Sequence, residues 1–273
     1  MKLPKITSNQ QDILKLLYTY RYLDRKQIQL AMNHKDKRRV ISWLKDLREK
    51  QYIEWIYSTD FIEKTKPAIY YLGINGIRYL KTVKSEDGSN YYPTSELRKR
   101  YKEAGRSRTF IDRSLLVADC CLLLQAANSN NANTSKLRFD YITEADYIDP
   151  DHDYHFLAEH DVLRPNLCIV KRNKQGKVTA NYLLEIFDSS LPRYRLRYRL
   201  KQYVAYLDDA QWEGTEPEPT ILLVCPSVME LIYAKRRAKR LIEYTYEDDL
   251  NIRFTTIDKI NTLGVTGEIW EEA

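Results

Sequence analysis

The chain has 273 residues, 43% of them hydrophobic and 30% charged, with a formal net charge of +6. No apolar run approaches the ~18 residues of a membrane-spanning helix, so a helical membrane protein is excluded and a globular one is expected. At ~100 to 200 residues per domain, the length favours two units.

Residues 1–10 are polar and lack the apolar stretch of a secretory signal, which makes the cytoplasm the expected compartment. The charge is unevenly spread. Residues 1–82 hold 17 Lys plus Arg against 8 Asp plus Glu, whereas the remainder sums to −3. A basic surface confined to one domain is an electrostatic footprint for a polyanion, and double-stranded DNA is the first candidate partner.

In chain order, Ser8 is placed to cap a first helix in which Ile13, Leu16, Leu17 and Tyr20 fall at helical spacing. Asp24 caps a shorter second helix, and Asn33, His34, Lys35 and Asp36 read as a tight polar turn. A third helix is predicted over 37–50, where Val40, Leu44 and Leu47 define a buried stripe flanked by Ile41 and Trp43. Arg38, Arg39, Ser42 and Lys45 fall on the opposite side, with Lys35 and Lys37 at the helix start. In a helix-turn-helix unit the second helix enters the major groove with its N-terminal residues at base edges. Arg38 and Arg39 are the candidates for base contacts, because a guanidinium holds guanine O6 and N7 with two hydrogen bonds, and the lysines are candidates for phosphate. The same cations would serve equally as the solvated face of an ordinary amphipathic helix.

Two β-prone runs, 52–57 and 68–72, then predict a hairpin whose loop carries Lys64 and Lys66 as further phosphate contacts, and 73–82 returns to helix. The expected first domain, residues 1–82, is therefore a winged helix-turn-helix. Residues 83–135 are expected to be a linker and connecting helices. Within them Ser95 caps a basic helix carrying Arg98, Lys99, Arg100 and Lys102, residues 110–127 form a buried helix, and Asn128 to Asn133 form a polar loop. The basic helix reads either as a phosphate contact or as a solvated face.

Residues 136–273 alternate strands (137–142, 161–171, 179–187, 220–225) with helices (193–207, 227–244), an α/β pattern. A hairpin turn at 171–178 contains Gly176. The run 193–201 alternates cations with Tyr and Leu, but Leu196, Leu200, Tyr203 and Leu207 continue a helical seam. Its five cations, and a second band of Lys235, Arg236, Arg237, Lys239 and Arg240, are expected either on a phosphate backbone or paired with the acidic stretch 144–153. Cys120, Cys121, Cys168 and Cys225 show no metal-ligand spacing and read as buried reduced thiols. His152, His155 and His160 read as part of a solvated loop, so no metal and no cofactor are expected.

The order of these motifs resembles the replication-relaxation proteins of bacterial plasmids and related mobile elements. The resemblance rests on Gln10-x-x-Ile13-Leu14, on Leu44-x-x-Leu47 followed by Tyr52-Ile53, and on the run from Pro67 to Leu72 with Gly76 after it. In the second half it rests on Arg164-Pro165-Asn166, Leu184-Glu185-Ile186, Lys201-x-Tyr203 and Tyr206-Leu207. It implies a role in replication or topology of an extrachromosomal element, or in regulating one. The second half also resembles a restriction-endonuclease-like fold, in which a Pro-Asp turn and a later Glu-x-Lys hold magnesium. Here Asn166 stands in place of the aspartate and Phe187 in place of the lysine, so Asn166 and Glu185 are vestigial site residues and no catalysis is expected. Asp188 lies three residues beyond Glu185, and Asp161, Glu144 or Lys201 are the groups that would have to rescue a metal site. The overall expectation is an α+β protein that binds double-stranded DNA in replication, relaxation or transcription control, with no membrane partner and with a two-fold homodimer allowed. The alternative is a metal-dependent DNA nuclease directed by its winged helix.

Overall fold

The structure, a computed structural model, describes all residues except 1–2, 58–64, 86–87, 136–137, 149–151, 160–163, 188–191, 209–211, 215, 246–250, 265–267 and 273, and except the side chains of 127–135 and 244–245. Lys64, His160, Asp161 and Asp188 therefore lie outside the described residues. The chain is mixed α and β, and it divides into two compact units, residues 1–122 and 123–273.

The first unit opens with α1 (Ser8–Tyr20). Its N-cap is Thr7, not Ser8: the Thr7 side chain accepts from the Gln10 amide, and the Thr7 amide donates to Gln10 Oε1. Thr7-x-x-Gln10 and Ser8-x-x-Gln11 are equally good capping boxes in the sequence, and only the fold chooses between them. A two-residue strand, β1 (Leu23–Asp24), precedes α2 (Arg25–Ala31), and a turn leads to α3 (Lys37–Glu49). Strands β2 (Ile53–Ile56) and β3 (Ile69–Leu72) form the expected antiparallel hairpin, with β1 added to its far side in the order β1-β3-β2. The strand β1 was not legible, since two residues give no alternation to read.

Helix α4 (Ile74–Leu80) closes this module. The stripes meet in one core made of Ile13, Leu14 and Leu17 from α1, Ile28 from α2, Val40, Leu44 and Leu47 from α3, and Ile53, Leu72, Ile77 and Leu80. Residues 83–122, expected as connecting structure, fall within the same unit. They include α5 (Thr94–Arg100), a 3-10 turn (Glu103–Gly105) and the first half of α6 (Arg108–Ser135). Ser95 does not cap α5; Pro93 takes that position, with no side-chain cap bond. Nor does Asn128 end α6, which continues to Ser135. Each Asn costs a helix only ~0.7 kcal/mol relative to Ala, so a polar tract gives no dependable stop.

The second unit is built on a six-stranded sheet in sequential order: β4 (Arg138–Thr143), β5 (Leu167–Arg172), β6 (Val178–Ile186), β7 (Pro219–Cys225), β8 (Ile252–Thr256) and β9 (Glu271–Glu272). Strands β4 to β6 are antiparallel, β6 to β8 are parallel, and β9 returns antiparallel. Short helices α7 (Glu144–Tyr147) and α8 (Phe156–Glu159) follow β4. Long helices α9 (Arg193–Asp208) and α10 (Val228–Thr245) make the crossovers, and α11 (Ile257–Leu263) follows β8. The strand expected over 161–171 begins only at Leu167. Pro165 just before it has no N–H to give a ladder, which favours a start beyond it. The β5–β6 hairpin turns through Gly176 at φ +80°, a left-handed conformation that glycine adopts without steric cost. The run 193–201 is helical as the seam required: Leu196, Leu200, Tyr203 and Leu207 are all buried against the sheet core with Leu223 and Phe254. All four cysteines are free and buried.

Candidate nucleic-acid interface

The turn between α2 and α3 is held by short-range bonds. Asp24 and Gln27 form a capping box at the start of α2. At its end the His34 amide donates to the Gln29 carbonyl at 3.1 Å, and Gln29 Nε2 donates back to the His34 carbonyl at 3.1 Å. Asn33 sits at φ +46°, the left-handed region that Asn tolerates better than other residues with a Cβ. Asp36 then caps α3 by accepting the Arg38 amide at 2.8 Å, and the His34 ring meets Trp43 edge-on at 5.0 Å.

With Val40, Leu44 and Leu47 sealed inward, the other side of α3 faces water. Lys37, Arg38, Arg39, Ser42 and Lys45 are all exposed, as is Lys35 in the turn. Lys45 lies 3.9 Å from Glu49 with both side chains well exposed, a pair worth little. Lys35 also joins Lys26, Gln29, Leu30, Asn33 and His34 around a shallow depression of about 320 Å³ beside the helix start. Lys66 is exposed on the approach to β3.

Three residues beside this exposed face escaped sequence reading: Lys26, Arg48 and Trp55. The Arg48 guanidinium lies 3.8 Å from the centre of the Trp55 ring, and Trp55 stacks on Tyr57 at 5.5 Å and is tilted against Tyr70 at 6.4 Å. The alternation Ile53, Trp55, Tyr57 was the available signal, because period two puts all three on one face of the hairpin. Ile53 takes the buried end and the two aromatic rings the exposed end.

Polar contacts fix the elements behind this face. Gln10 of α1 donates to Asp46 of α3 at 2.6 Å, and Lys50 donates to the same oxygen at 2.8 Å. The Lys50 bond holds the Asp46 carboxyl below its ordinary pKa. Gln27 of α2 donates to Asp119 and to the Leu115 carbonyl on α6. Arg100, which the sequence offered as part of a basic outward face, is buried instead. Its guanidinium lies 3.5 Å from the buried Glu103 carboxylate and donates to the Tyr18 carbonyl. Arg21 and the Tyr22 hydroxyl converge on the same carboxylate at 2.7 and 2.6 Å. Burial, with Glu103 second, pushes the Tyr22 phenol far above its usual value.

In the second unit Glu185 is buried on β6. Its carboxylate accepts from Arg199 at 3.2 Å and from the Tyr203 hydroxyl at 2.9 Å, both on α9. Burial, then the Glu185 charge, raises the Tyr203 pKa well above the ordinary range, so the phenol stays a donor. Arg199 is therefore not part of the outward basic band expected of α9. Asn166 bridges to the neighbouring strand: its amide donates to the Leu184 carbonyl at 2.9 Å, and its Oδ1 accepts the Ile186 amide at 2.8 Å. Phe187 is buried, while Glu144 and Lys201 are exposed. Glu185 with a guanidinium and a phenol, beside an Asn oxygen already used on the backbone, does not fit a magnesium site, which needs several hard anionic or carbonyl oxygens. Within the cationic bands, Arg193 pairs with Glu230 at 3.3 Å and Lys235 with Glu271 at 3.2 Å.

An exposed basic helix on a small helical and three-stranded module, followed by a six-stranded mixed sheet, defines a two-unit α+β protein. A family model described as replication-relaxation matches residues 14–218, most of the chain, and the chain belongs to that family. Membership points to a role in the replication or relaxation of plasmids or other mobile elements. No curated protein and no solved structure matches the chain. No helix among the described residues is long and apolar enough to cross a membrane.

Proposed function

We propose that the chain binds double-stranded DNA through its first unit, a winged helix-turn-helix, and acts through that contact in replication, relaxation or transcription control of a mobile element. Helix α3 enters the major groove, with Arg38 and Arg39 at base edges and Lys35, Lys37, Ser42 and Lys45 on phosphates. The β2–β3 hairpin is the wing, and Lys66 lies beside it. The observation that carries this reading is the segregation on α3: three apolar residues anchor one side, and the cations of the first turn stand exposed on the other.

We further propose that the second unit is a restriction-endonuclease-like fold without nuclease activity. The support is Glu185 held by Arg199 and Tyr203, with Asn166 committed to the β6 backbone. Selection of bound duplexes from a random pool tests the first proposal. Enrichment of a defined site is expected, and an inverted repeat would mark a two-fold dimer. Failure to retain any duplex at low salt overturns it. Supercoiled plasmid incubated with the protein and Mg²⁺ or Mn²⁺ tests the second: supercoils are expected to persist, and nicking that disappears in Glu185→Gln favours the targeted nuclease instead.

A further inference from the structure

Helix α9 buries one stripe and presents the other side as alternating cations and tyrosines. Tyr194 and Tyr198 are 64% and 63% exposed, more than any other described tyrosine. Rings of that size normally bury most of their surface or cover an apolar neighbour, and a helix face that only needs solvation has no use for them. They stand four residues apart, so they share a side of the helix about 6 Å apart along its axis. Arg197 and Lys201 fall on the same side, one turn along from each ring. Arg195, Arg197 and Lys201 make no ion pair with any described residue. The only acid on α9 is Asp208, at its last position. Arg193, at the first position of α9, and Arg237 of α10 both lie over the Tyr233 ring, at 5.5 and 5.3 Å from its centre.

We propose that this face of α9 binds single-stranded nucleic acid, with Tyr194 and Tyr198 stacking on unpaired bases and Arg195, Arg197 and Lys201 on the phosphates. A polyanion is called for by the charge. Single strands rather than duplex are called for by the rings, because a duplex hides its base faces and leaves flat side chains nothing to stack on, whereas every unpaired base offers one. The site lies on the second unit and is independent of the duplex reading of α3.

The test is fluorescence anisotropy of labelled oligothymidylate and of a random-sequence duplex, titrated with full-length protein. Tyr194→Ala/Tyr198→Ala should weaken oligothymidylate binding by about tenfold per ring and leave duplex binding unchanged. Tyr194→Phe/Tyr198→Phe keeps the rings and should bind both probes like the parent. Arg38→Ala/Arg39→Ala should leave the oligothymidylate affinity in place. The proposal is overturned if the parent fails to bind oligothymidylate, or if the Ala pair binds it as well as the parent does. It is equally overturned if the Ala pair loses both probes alike, which would mark the face as a general phosphate grip.

Discussion

Arg199 on α9 and Glu185 on β6 form a buried ion pair, Nη2 to Oε2 at 3.2 Å, with side-chain exposures of 15% and 8%. Tyr203, one turn further along the helix, donates to the same oxygen. A carboxylate in that setting is stabilised by a cation and a hydroxyl that both reach it. Removing the cation alone strands the charge, and such losses run to ~3 to 5 kcal/mol, whereas replacing both partners with apolar groups is often neutral. Arg199→Ala should therefore lower the unfolding free energy in urea by about that amount. Arg199→Met/Glu185→Leu/Tyr203→Phe, which removes the charge, the cation and the hydroxyl together, should recover much of it. Equal losses in the single and triple variants would mean that this cluster is not the source of the effect.

The buried thiols give the protein an alkaline weakness. Burial raises Cys225 and Cys120 to about 12, and it pushes Cys121 and Cys168 up further. An unfolded thiol ionises near ~8.5, so above that pH the unfolded chain releases protons that the folded chain retains. Stability from these groups is complete below the unfolded value and falls as pH rises toward the folded one, by up to ~1.4 kcal/mol per pH unit for each thiol. Urea midpoints measured under reducing conditions should decline between about pH 8.5 and 10.5. Cys225→Ala should make the decline shallower, and an unchanged slope would remove Cys225 from the account.

The elements that sequence periodicity revealed are those with a continuous stripe. Val40, Leu44 and Leu47, and likewise Leu196, Leu200, Tyr203 and Leu207, repeat at a helical interval that no strand can present on one side. The inward arginines were hidden for the opposite reason. Arg100 sits among Arg98, Lys99 and Lys102, and Arg199 among Arg195, Arg197 and Lys201, so each reads as one more solvated cation. What singles them out is a carboxylate at the right depth, Glu103 three residues on in one case and Glu185 on another element in the other. The exposed cations of α3 were legible because Asp36 and the apolar stripe together fix both the helix start and its rotation. Arg48 and Trp55 were not, since their contact depends on how the hairpin folds back on α3.

Gly76 is constrained by close approach rather than by its backbone angles. A Cβ there would lie 2.2 Å from the Tyr52 carbonyl oxygen and 3.2 Å from Leu72 Cδ2, where α4 rests on the hairpin. Helix propensity alone favours Ala over Gly by ~1 kcal/mol. The clash reverses that, because a backbone carbonyl cannot rotate away as a side chain can, and overpacking costs of ~1 to 3 kcal/mol or more are expected. Gly88 is the contrasting case, at φ +85° with open space around it, so Gly88→Ala bears only the left-handed strain of ~1 to 2 kcal/mol. Thermal unfolding should show the larger fall for Gly76→Ala. A rise in its transition temperature would show that α4 can move off Tyr52.

Reading and gripping separate within the first unit if α3 lies in the groove with the rotation its buried stripe imposes. Arg38 and Arg39 then face base edges. Replacing either with Ala should cost ~1 to 3 kcal/mol on the preferred site and flatten the preference at one base pair, because a two-bond contact to guanine is lost. With the hairpin as the wing, Lys66 beside it would reach only backbone or minor groove. Lys66→Ala should weaken all duplexes about equally and reduce the slope of log affinity against log salt by roughly one unit. Quantitative binding to the selected site and to single-base variants, at several salt concentrations, distinguishes the two patterns. Exposed substitutions usually shift stability by no more than ~0.5 kcal/mol, so an unchanged thermal transition certifies each variant before comparison. Full retention of sequence preference in Arg38→Ala and Arg39→Ala, with its loss in Lys66→Ala, would move the recognition surface from α3 to the hairpin.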